Sequence, residues 1–508
     1  MQAFLPILLI WFAVGQTTRG QRTILSVLSN DSMIDVRHIP QRLSLAGIPT
    51  SPKSDKVVAF LSAASIETLK FARCQIVPTS VSTVESDELC EYLHLAGHRM
   101  PGLSVACGED AEVVKLGNRE RRDPPTSRST TTTTPWPMKQ RSTTTTTPQP
   151  TTLQATITTP TQSITSPARV APATQPPRPQ GDDKLDDPRI HFQTLMRRMK
   201  MSDVRQLIKQ YPRRNVTIAV IDDGVDFSDP GLAPLRSSFT MSDGRVIDGG
   251  WNYVNDSSTL SFDSYHGQFI SRIIAAKMTN PYGMAGIASD NVRLLSLQIF
   301  EGKKTGSVGN LLKALDMAID IGVDIISLSM GYRFTADSLG HSRQLMFTMR
   351  RAEERGIILV SGAGNDHQNA GRVYPCWFEG SNSICVASLS NDEVYNLSDF
   401  SNYGNRVDLA AFGEKMYAGP DGDGSLPLVS GTSFAAPMVT GAAAILLSMG
   451  AEPSVVKRLL LEGADHFDSP GRPLNPDGGV LNIFESVKDV IGTYSLRPID
   501  KHTRSLRS

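Results

Sequence analysis

The chain has 508 residues, too many for one compact core, and the usual 100–200 residues per domain suggests about three units. Lys plus Arg and Asp plus Glu balance at 51 each, which argues against a strongly basic nucleic-acid binder and against an acidic, solvating protein. Hydrophobic residues at 40% exclude a wholly disordered chain, and five cysteines with no C-x-x-C or H-E-x-x-H favour neither a disulfide scaffold nor a zinc site.

Phe4 to Val14 is an apolar run, shorter than the roughly 20 residues of a spanning helix. Small and polar residues follow from Gly15 to Gly20, so residues 1–20 read as a secretory signal, although no Lys or Arg precedes the run; a buried N-terminal helix is the alternative. Secretion makes the cysteines competent for disulfides. It also makes the sequons at Asn30, Asn215, Asn255 and Asn396 acceptors for glycosylation, with an extracellular destination and no membrane span in the mature form.

Residues 21–122 contain the apolar stretch Val57–Leu61, a predicted helix over Ser86–Leu95, and Cys74, Cys90 and Cys107. They end in Arg119-Glu120-Arg121-Arg122, which reads either as solvated surface or as a processing site. Between Pro124 and Gln180 roughly three-fifths of the residues are Thr, Ser or Pro. Such a stretch cannot bury enough apolar surface to offset chain entropy and reads as a mucin-like linker over 123–182.

From 183 to 492 short apolar runs alternate with amphipathic segments. Predicted strands are Val216–Ile221, Val292–Ile299, Val323–Met330, Ile357–Ser361 and Ile384–Ser388; predicted helices are His266–Lys277, Val308–Ile321 and Ser342–Glu354. The β-branched runs lack polar alternation, as strands buried on both faces do, and the order predicts an α/β domain with a mostly parallel, doubly wound sheet. Phe434 to Gly450 is apolar nearly all round and reads as a helix through the domain centre, with Pro437 in its first turn, followed to the C-terminus by a basic tail over 493–508.

Residues at the carboxyl ends of parallel strands are where such sheets place ligands. Asp222 ends one predicted strand, Ser329-Met330-Gly331 ends another, Ala363-Gly364-Asn365 follows a third, and Gly431-Thr432-Ser433 opens the buried helix. Taken singly, Asp222 is a turn former, Ser433 an N-cap, His266 a surface histidine and Asn365 a left-handed turn residue. Their order Asp, His, Asn, Ser carries more than any one of them.

The flanking residues resemble the subtilisin-like serine protease family. Val-Ile-Asp222-Asp-Gly, His266-Gly267, Ser-Gly-Ala-Gly-Asn365-Asp and Gly-Thr-Ser433-Phe-Ala-Ala-Pro-Met-Val match its four blocks, over about 300 residues. The resemblance implies that Ser433 attacks a scissile carbonyl, His266 serves as base and then acid, and Asp222 fixes the imidazole. It further implies that the Asn365 amide and the Ser433 N–H form the oxyanion hole, and that Ser329, Met330, Gly331, Ala363 and Gly364 hold protein or peptide substrates as an added strand. Residues 21–122 would then be an inhibitory propeptide, released near Arg122–Asp123 or, alternatively, near Asp183. The chemistry requires no cofactor.

The histidine block departs from the family's His-Gly-Thr-x-Val-Ala-Gly, with Gln268 and with Arg272 in place of a glycine. Pro230-Gly231-Leu232 lacks the acidic residue of Pro-Asp-Leu, so one calcium ligand is missing; Asp229, Asp256, Asp263 and Asn280 remain as oxygen donors for a structural calcium. Cys376 and Cys385 flank the loop after Tyr374-Pro375 and are expected to bridge, with two buried thiols as the alternative. Asp366 on the pocket rim would favour a basic residue at the cleaved position, and Val373 would exclude large aromatics. The competing readings are a catalytically inactive relative that binds peptides or partners, and a mucin-like surface protein. An α/β-hydrolase is disfavoured because no Gly-x-Ser-x-Gly occurs.

Overall fold

The structure is a computed structural model. It describes residues 194–499 apart from short breaks, Leu93, and the strands Arg22–Ser29, Ser32–Met33, Glu67–Leu69, Cys74–Pro78, Leu103–Glu109 and Glu112–Lys115. The Thr/Pro-rich segment, the apolar run at the N-terminus, the stretch Val57–Leu61, residues 500–508 and all but Leu93 of the helix expected at Ser86–Leu95 lie outside the described residues.

Eight parallel strands form the main sheet among the described residues. Their spatial order is Gly250–Asn252, Val292–Gln298, Val216–Asp222, Ile325–Leu328, Ile358–Gly362, Ser383–Leu389, Leu409–Phe412 and Gly479–Val480. Along Val216–Asp222 every residue is buried. Ile218 and Val220 join a core containing the helices His266–Ala275 and Thr432–Ser448, whereas Ala219 and Ile221 face a second core with the helix Val308–Ile321. This two-faced burial accounts for the unbroken apolar runs, because a strand with water on one face would alternate.

The expected strand Val323–Met330 is two elements. Ile325–Leu328 stays in the parallel sheet, while Met330–Arg333 leaves it and pairs antiparallel with Val373–Tyr374 on one side and Glu112–Lys115 on the other. The break falls at Ser329, whose side chain is committed to the neighbouring helix. Leu409–Phe412, Gly250–Asn252 and Gly479–Val480 complete the sheet without having been expected from periodicity, since runs of two to four residues are too short to show a period.

All residues of the helix Thr432–Ser448 are buried. It starts two residues before the expected Phe434, so Pro437 sits sixth, beyond the first turn rather than in it. A proline there removes the N–H that would bond the carbonyl four residues back, which is Ser433. Ser329 Oγ supplies the missing donor at 2.9 Å. Among the described residues no single helix is long and apolar enough to cross a membrane.

The N-terminal strands other than Glu112–Lys115 form a separate antiparallel sheet with Arg22–Ser29 at its centre, flanked by Cys74–Pro78 and Leu103–Glu109. It abuts the helices Val308–Ile321 and Leu339–Glu354 through Glu67–Leu69 and Leu103–Glu109.

Candidate active site

Four elements of the main domain deliver side chains to one point at the carboxyl edge of the sheet. Asp222 is the last residue of Val216–Asp222, and its Oδ1 lies 2.8 Å from His266 Nδ1. Both side chains are nearly inaccessible, at 1% and 2% exposed. Asp222 Oδ1 also accepts from Asp223 N at 2.9 Å, so the carboxylate is fixed before it meets the ring. A carboxylate facing Nδ1 selects the tautomer with its proton there, leaving Nε2 as the basic nitrogen. Nε2 is buried and has no hydrogen-bond partner.

His266 opens the helix His266–Ala275, whose preceding residue, Tyr265, is left-handed (φ 57°) and provides no side-chain cap. Asp223 supplies the cap from outside the helix. Its Oδ1 accepts from Gly267 N at 2.6 Å and its Oδ2 from His266 N at 3.3 Å, with Ser264 Oγ a further donor. Gly267 is required by this approach, because a Cβ there would lie 2.7 Å from Gly224 O and 2.8 Å from Asp223 Oδ1.

Ser433 is the second residue of its helix, where unsatisfied N–H groups favour developing negative charge. Its Oγ donates to Ser329 O at 3.3 Å instead of reaching His266. The hydroxyl is a single-bond rotor, and catalytic hydrogen bonds often tighten only when substrate is present. The His266 ring packs edge-on against Phe434 with centroids 5.4 Å apart, which holds the base beside the start of the serine's helix.

Asn365 faces the same helix start. Its Oδ1 accepts from Thr432 N and from Thr432 Oγ1, each at 2.9 Å. With both donors on the oxygen, the Nδ2 end is turned the other way, as an oxyanion donor must be. The Thr432 hydroxyl in turn accepts from Gly364 N at 3.1 Å. Asn402 clamps the rest of the loop, its Nδ2 donating to Ala363 O and its Oδ1 accepting from Asp366 N and Gln368 N. Gly364 has φ 104°, and a Cβ there would lie 2.3 Å from Asn402 Nδ2.

The remaining expected residues fall around this centre. Ser329 and Met330 are buried beside it, and Met330–Gly331 pairs with Lys115 and Val114. Val373 is buried next to Gly364, whereas Asp366 is exposed. Tyr374 stacks on Tyr332 with centroids 5.5 Å apart; burial pushes the Tyr374 phenol up to about 12 and also raises Tyr332, so both stay neutral at ordinary pH. Cys376 and Cys385 are bridged.

The unusual histidine block has a local reason. Gln268 Nε2 and Arg272 Nε both donate to Asp229 Oδ2, at 2.9 and 2.6 Å, one turn apart on the helix. Arg272 Nη1 also reaches Pro420 O at 2.5 Å and Ala418 O at 3.3 Å, tying the helix to that loop. Of the four oxygen donors considered for calcium, Asp229 is therefore already matched by a cation. Asn280 is turned to the carbonyls of Lys277 and Met284, Asp256 accepts from Trp251 Nε1, and Asp263 lies outside the described residues.

The subtilase family profile matches residues 213–484, more than half of the chain. The chain belongs to the subtilase family. It is 32% identical over 254 residues to thermitase of Thermoactinomyces vulgaris, an alignment spanning 50% of this chain and 82% of thermitase. It is 32% identical to the thermophilic serine proteinase of a Bacillus species, strain AK1, over 50% of this chain and 57% of that one. Halolysin of Haloferax mediterranei is 33% identical over 46% of this chain and 42% of halolysin. The fold agrees with the crystal structure of fervidolysin from Fervidobacterium pennivorans, described as a keratinolytic enzyme related to subtilisin, with TM-score 0.61 and 16% identity over 94% of this chain and 63% of that one. This subtilase is thus a serine peptidase by family. Thr432, Asn402 and Asp223 hold the site residues in place, roles that sequence reasoning did not assign, although Thr432 and Asp223 stand inside blocks that carry the resemblance.

Proposed function

We propose that this subtilase is a secreted endopeptidase, made as a zymogen, which hydrolyses peptide bonds through Asp222, His266 and Ser433. The observation that carries the reading is the Asp222–His266 contact at 2.8 Å beside a helix-initial Ser433, with Asn365 pinned by Thr432 at the same helix start. In the reaction Ser433 Oγ attacks the carbonyl carbon of a peptide and His266 Nε2 takes its proton. The resulting imidazolium faces the buried Asp222 carboxylate, where that attraction is stronger than in bulk water. The oxyanion meets the Asn365 Nδ2 and Ser433 N–H donors. His266 then protonates the leaving amine, and water releases the acyl group by the same steps in reverse.

The exposed side chains of Asn215, Asn255 and Asn396 support their glycosylation, and the signal-like run at Phe4–Val14 supports secretion; Asn30 lies outside the described residues. Zymogen status is supported by the Glu112–Lys115 strand, which occupies the backbone edge of Met330–Gly331 that a substrate would use. A structural calcium stays a proposal of its own, to be tested by the effect of a chelator on thermal unfolding. Replacing Ser433 with Ala tests the main reading: peptide hydrolysis should vanish while circular dichroism and unfolding stay close to those of the parent. Hydrolysis that survives in Ser433→Ala would rule the reading out. The inactive-relative reading draws on one observation, the Ser433 hydroxyl bonded to Ser329 O, and the same assay on the parent protein decides it.

A further inference from the structure

Arg272 meets the chain segment of every member of the proposed triad. It stands six residues after His266 on the helix His266–Ala275, about 9 Å along the axis. Its Nε donates to Asp229 Oδ2 at 2.6 Å, in the loop that follows Asp222. Its Nη1 donates to Pro420 O at 2.5 Å and Ala418 O at 3.3 Å, in the loop between the paired strands Met416–Tyr417 and Leu428–Val429. The second of these strands ends four residues before Ser433, and Gly431 N bonds back to Gly413 O at 2.8 Å, so the chain leading to the serine is fixed to the same hairpin.

The surroundings are built for this guanidinium. Gln268, one turn earlier on the helix, joins two of the same segments: its Oε1 accepts from Asp226 N at 2.8 Å and its Nε2 donates to Asp229 Oδ2. Gly231 N donates to Asp229 Oδ1 at 2.7 Å, and a Cβ at 231 would lie 3.1 Å from that oxygen. Gly419 has φ 90°, and a Cβ there would lie 2.7 Å from Arg272 Nη1, so glycine lets the loop close over the cation. Gly231 and Arg272 are both departures from the family's blocks, and they meet at one buried carboxylate. A planar fork with donors in fixed directions serves a carboxylate and two carbonyls at once, which a flexible ammonium does not.

We propose that Arg272 is a positioning residue for the peptidase reaction: its guanidinium is the junction that sets the segments carrying Asp222, His266 and Ser433 against one another. The proposal rests on the protease reading above. Arg272 is buried, so it acts through these segments and not on the substrate. Its pairing with Asp229 supports the fold, whereas its bonds to Ala418 and Pro420 keep the helix of the base beside the hairpin that leads to the nucleophile. Without those bonds His266 Nε2 and Ser433 Oγ lose their mutual alignment. The proposed substrate edge, Met330–Arg333, is held separately by Val373–Tyr374, so the loss falls on kcat and spares KM.

The test expresses the full chain and refers every rate to the folded, processed fraction, measured by circular dichroism and gel electrophoresis. Arg272→Ala should lower both kcat and the rate of fluorophosphonate labelling of Ser433 by about 100-fold, the cost of a misplacement near 1 Å, with KM changed by less than about twofold. Arg272→Lys is the control for a variant that fails to fold, because it keeps a cation beside Asp229. One ammonium cannot span the carboxylate and both carbonyls, so labelling of Arg272→Lys should still slow by about tenfold. A parent rate of labelling in either folded variant, or a loss carried by KM, overturns the proposal and leaves the protease reading standing. A folded, processed parent that neither takes the label nor hydrolyses peptide overturns both.

Discussion

Ser329 and Ser433 hold each other through crossed hydrogen bonds: Ser329 Oγ donates to the Ser433 carbonyl at 2.9 Å, and Ser433 Oγ donates to the Ser329 carbonyl at 3.3 Å. The first bond answers the donor that Pro437 removes from the helix, and the second holds the proposed nucleophile against the residue that precedes the strand Met330–Arg333. One residue thus repairs the backbone of the helix that carries Ser433 and holds that serine's hydroxyl in place. Ser329→Ala should lose about 1–3 kcal/mol, because the buried Ser433 carbonyl loses its side-chain donor. Denaturant unfolding in a Ser433→Ala background, free of self-digestion, measures this; an unchanged midpoint contradicts the role.

The oxyanion arrangement predicts a hierarchy. Asn365→Ala should lower kcat by about 100- to 1000-fold with little change in KM, as loss of a donor aimed at transition-state charge does. Thr432→Val removes one of the two donors on Asn365 Oδ1 and should cost less. In the Asn365→Ala background Thr432→Val should add almost nothing to the loss in kcat, because the hydroxyl acts through the amide. Additive losses would mean that Thr432 acts independently.

Arg272 and Asp229 form a pair buried to 5% and 2% side-chain exposure. Removing only the arginine leaves a buried carboxylate without its counter-cation, so Arg272→Met should destabilise by about 3–5 kcal/mol. Adding Asp229→Asn should recover part of that loss. Thermal or denaturant unfolding of the four proteins in the cycle reads the coupling, and a double variant less stable than Arg272→Met alone contradicts it.

Asp408 carries a pH signature. Burial raises its carboxyl above the usual carboxylate range, against the opposing pull of Lys457, which lies 2.9 Å away, and of the Cys385 N–H. A carboxyl raised in the fold binds its proton more tightly there than in the unfolded chain. Its contribution is full below the unfolded value, about 3.9, and is lost as pH rises through the raised folded value. Stability of the Ser433→Ala protein relative to its Asp408→Asn derivative should therefore fall as pH rises through that window. Unfolding midpoints across a pH series check this; a relative gain with rising pH contradicts it.

Much of this architecture is legible in the residues. Val216–Asp222 and Ser383–Leu389 announce themselves because both faces are buried, and Thr432–Ser448 does so because its whole circumference is. Leu409–Phe412 and Gly479–Val480 do not, since their place in the sheet is decided by tertiary pairing rather than by a pattern within two to four residues. Asp222, His266, Asn365 and Ser433 could be named from their flanking blocks, but the supports could not. Asp223 caps a helix more than 40 residues away, and Asn402 clamps a loop more than 30 residues away. Such contacts leave no local spacing to read. Arg272 stood out as an exception to the family pattern, yet its partner Asp229 became visible only in three dimensions.

The proposed reaction depends on Ser433 being a nucleophile activated by His266. Treating the processed protein with diisopropyl fluorophosphate and mapping the adduct by peptide mass spectrometry tests it most directly. One adduct per chain, on Ser433 and lost in His266→Ala, is the predicted result. No adduct on a processed, folded protein, or an adduct on a different residue, would contradict it.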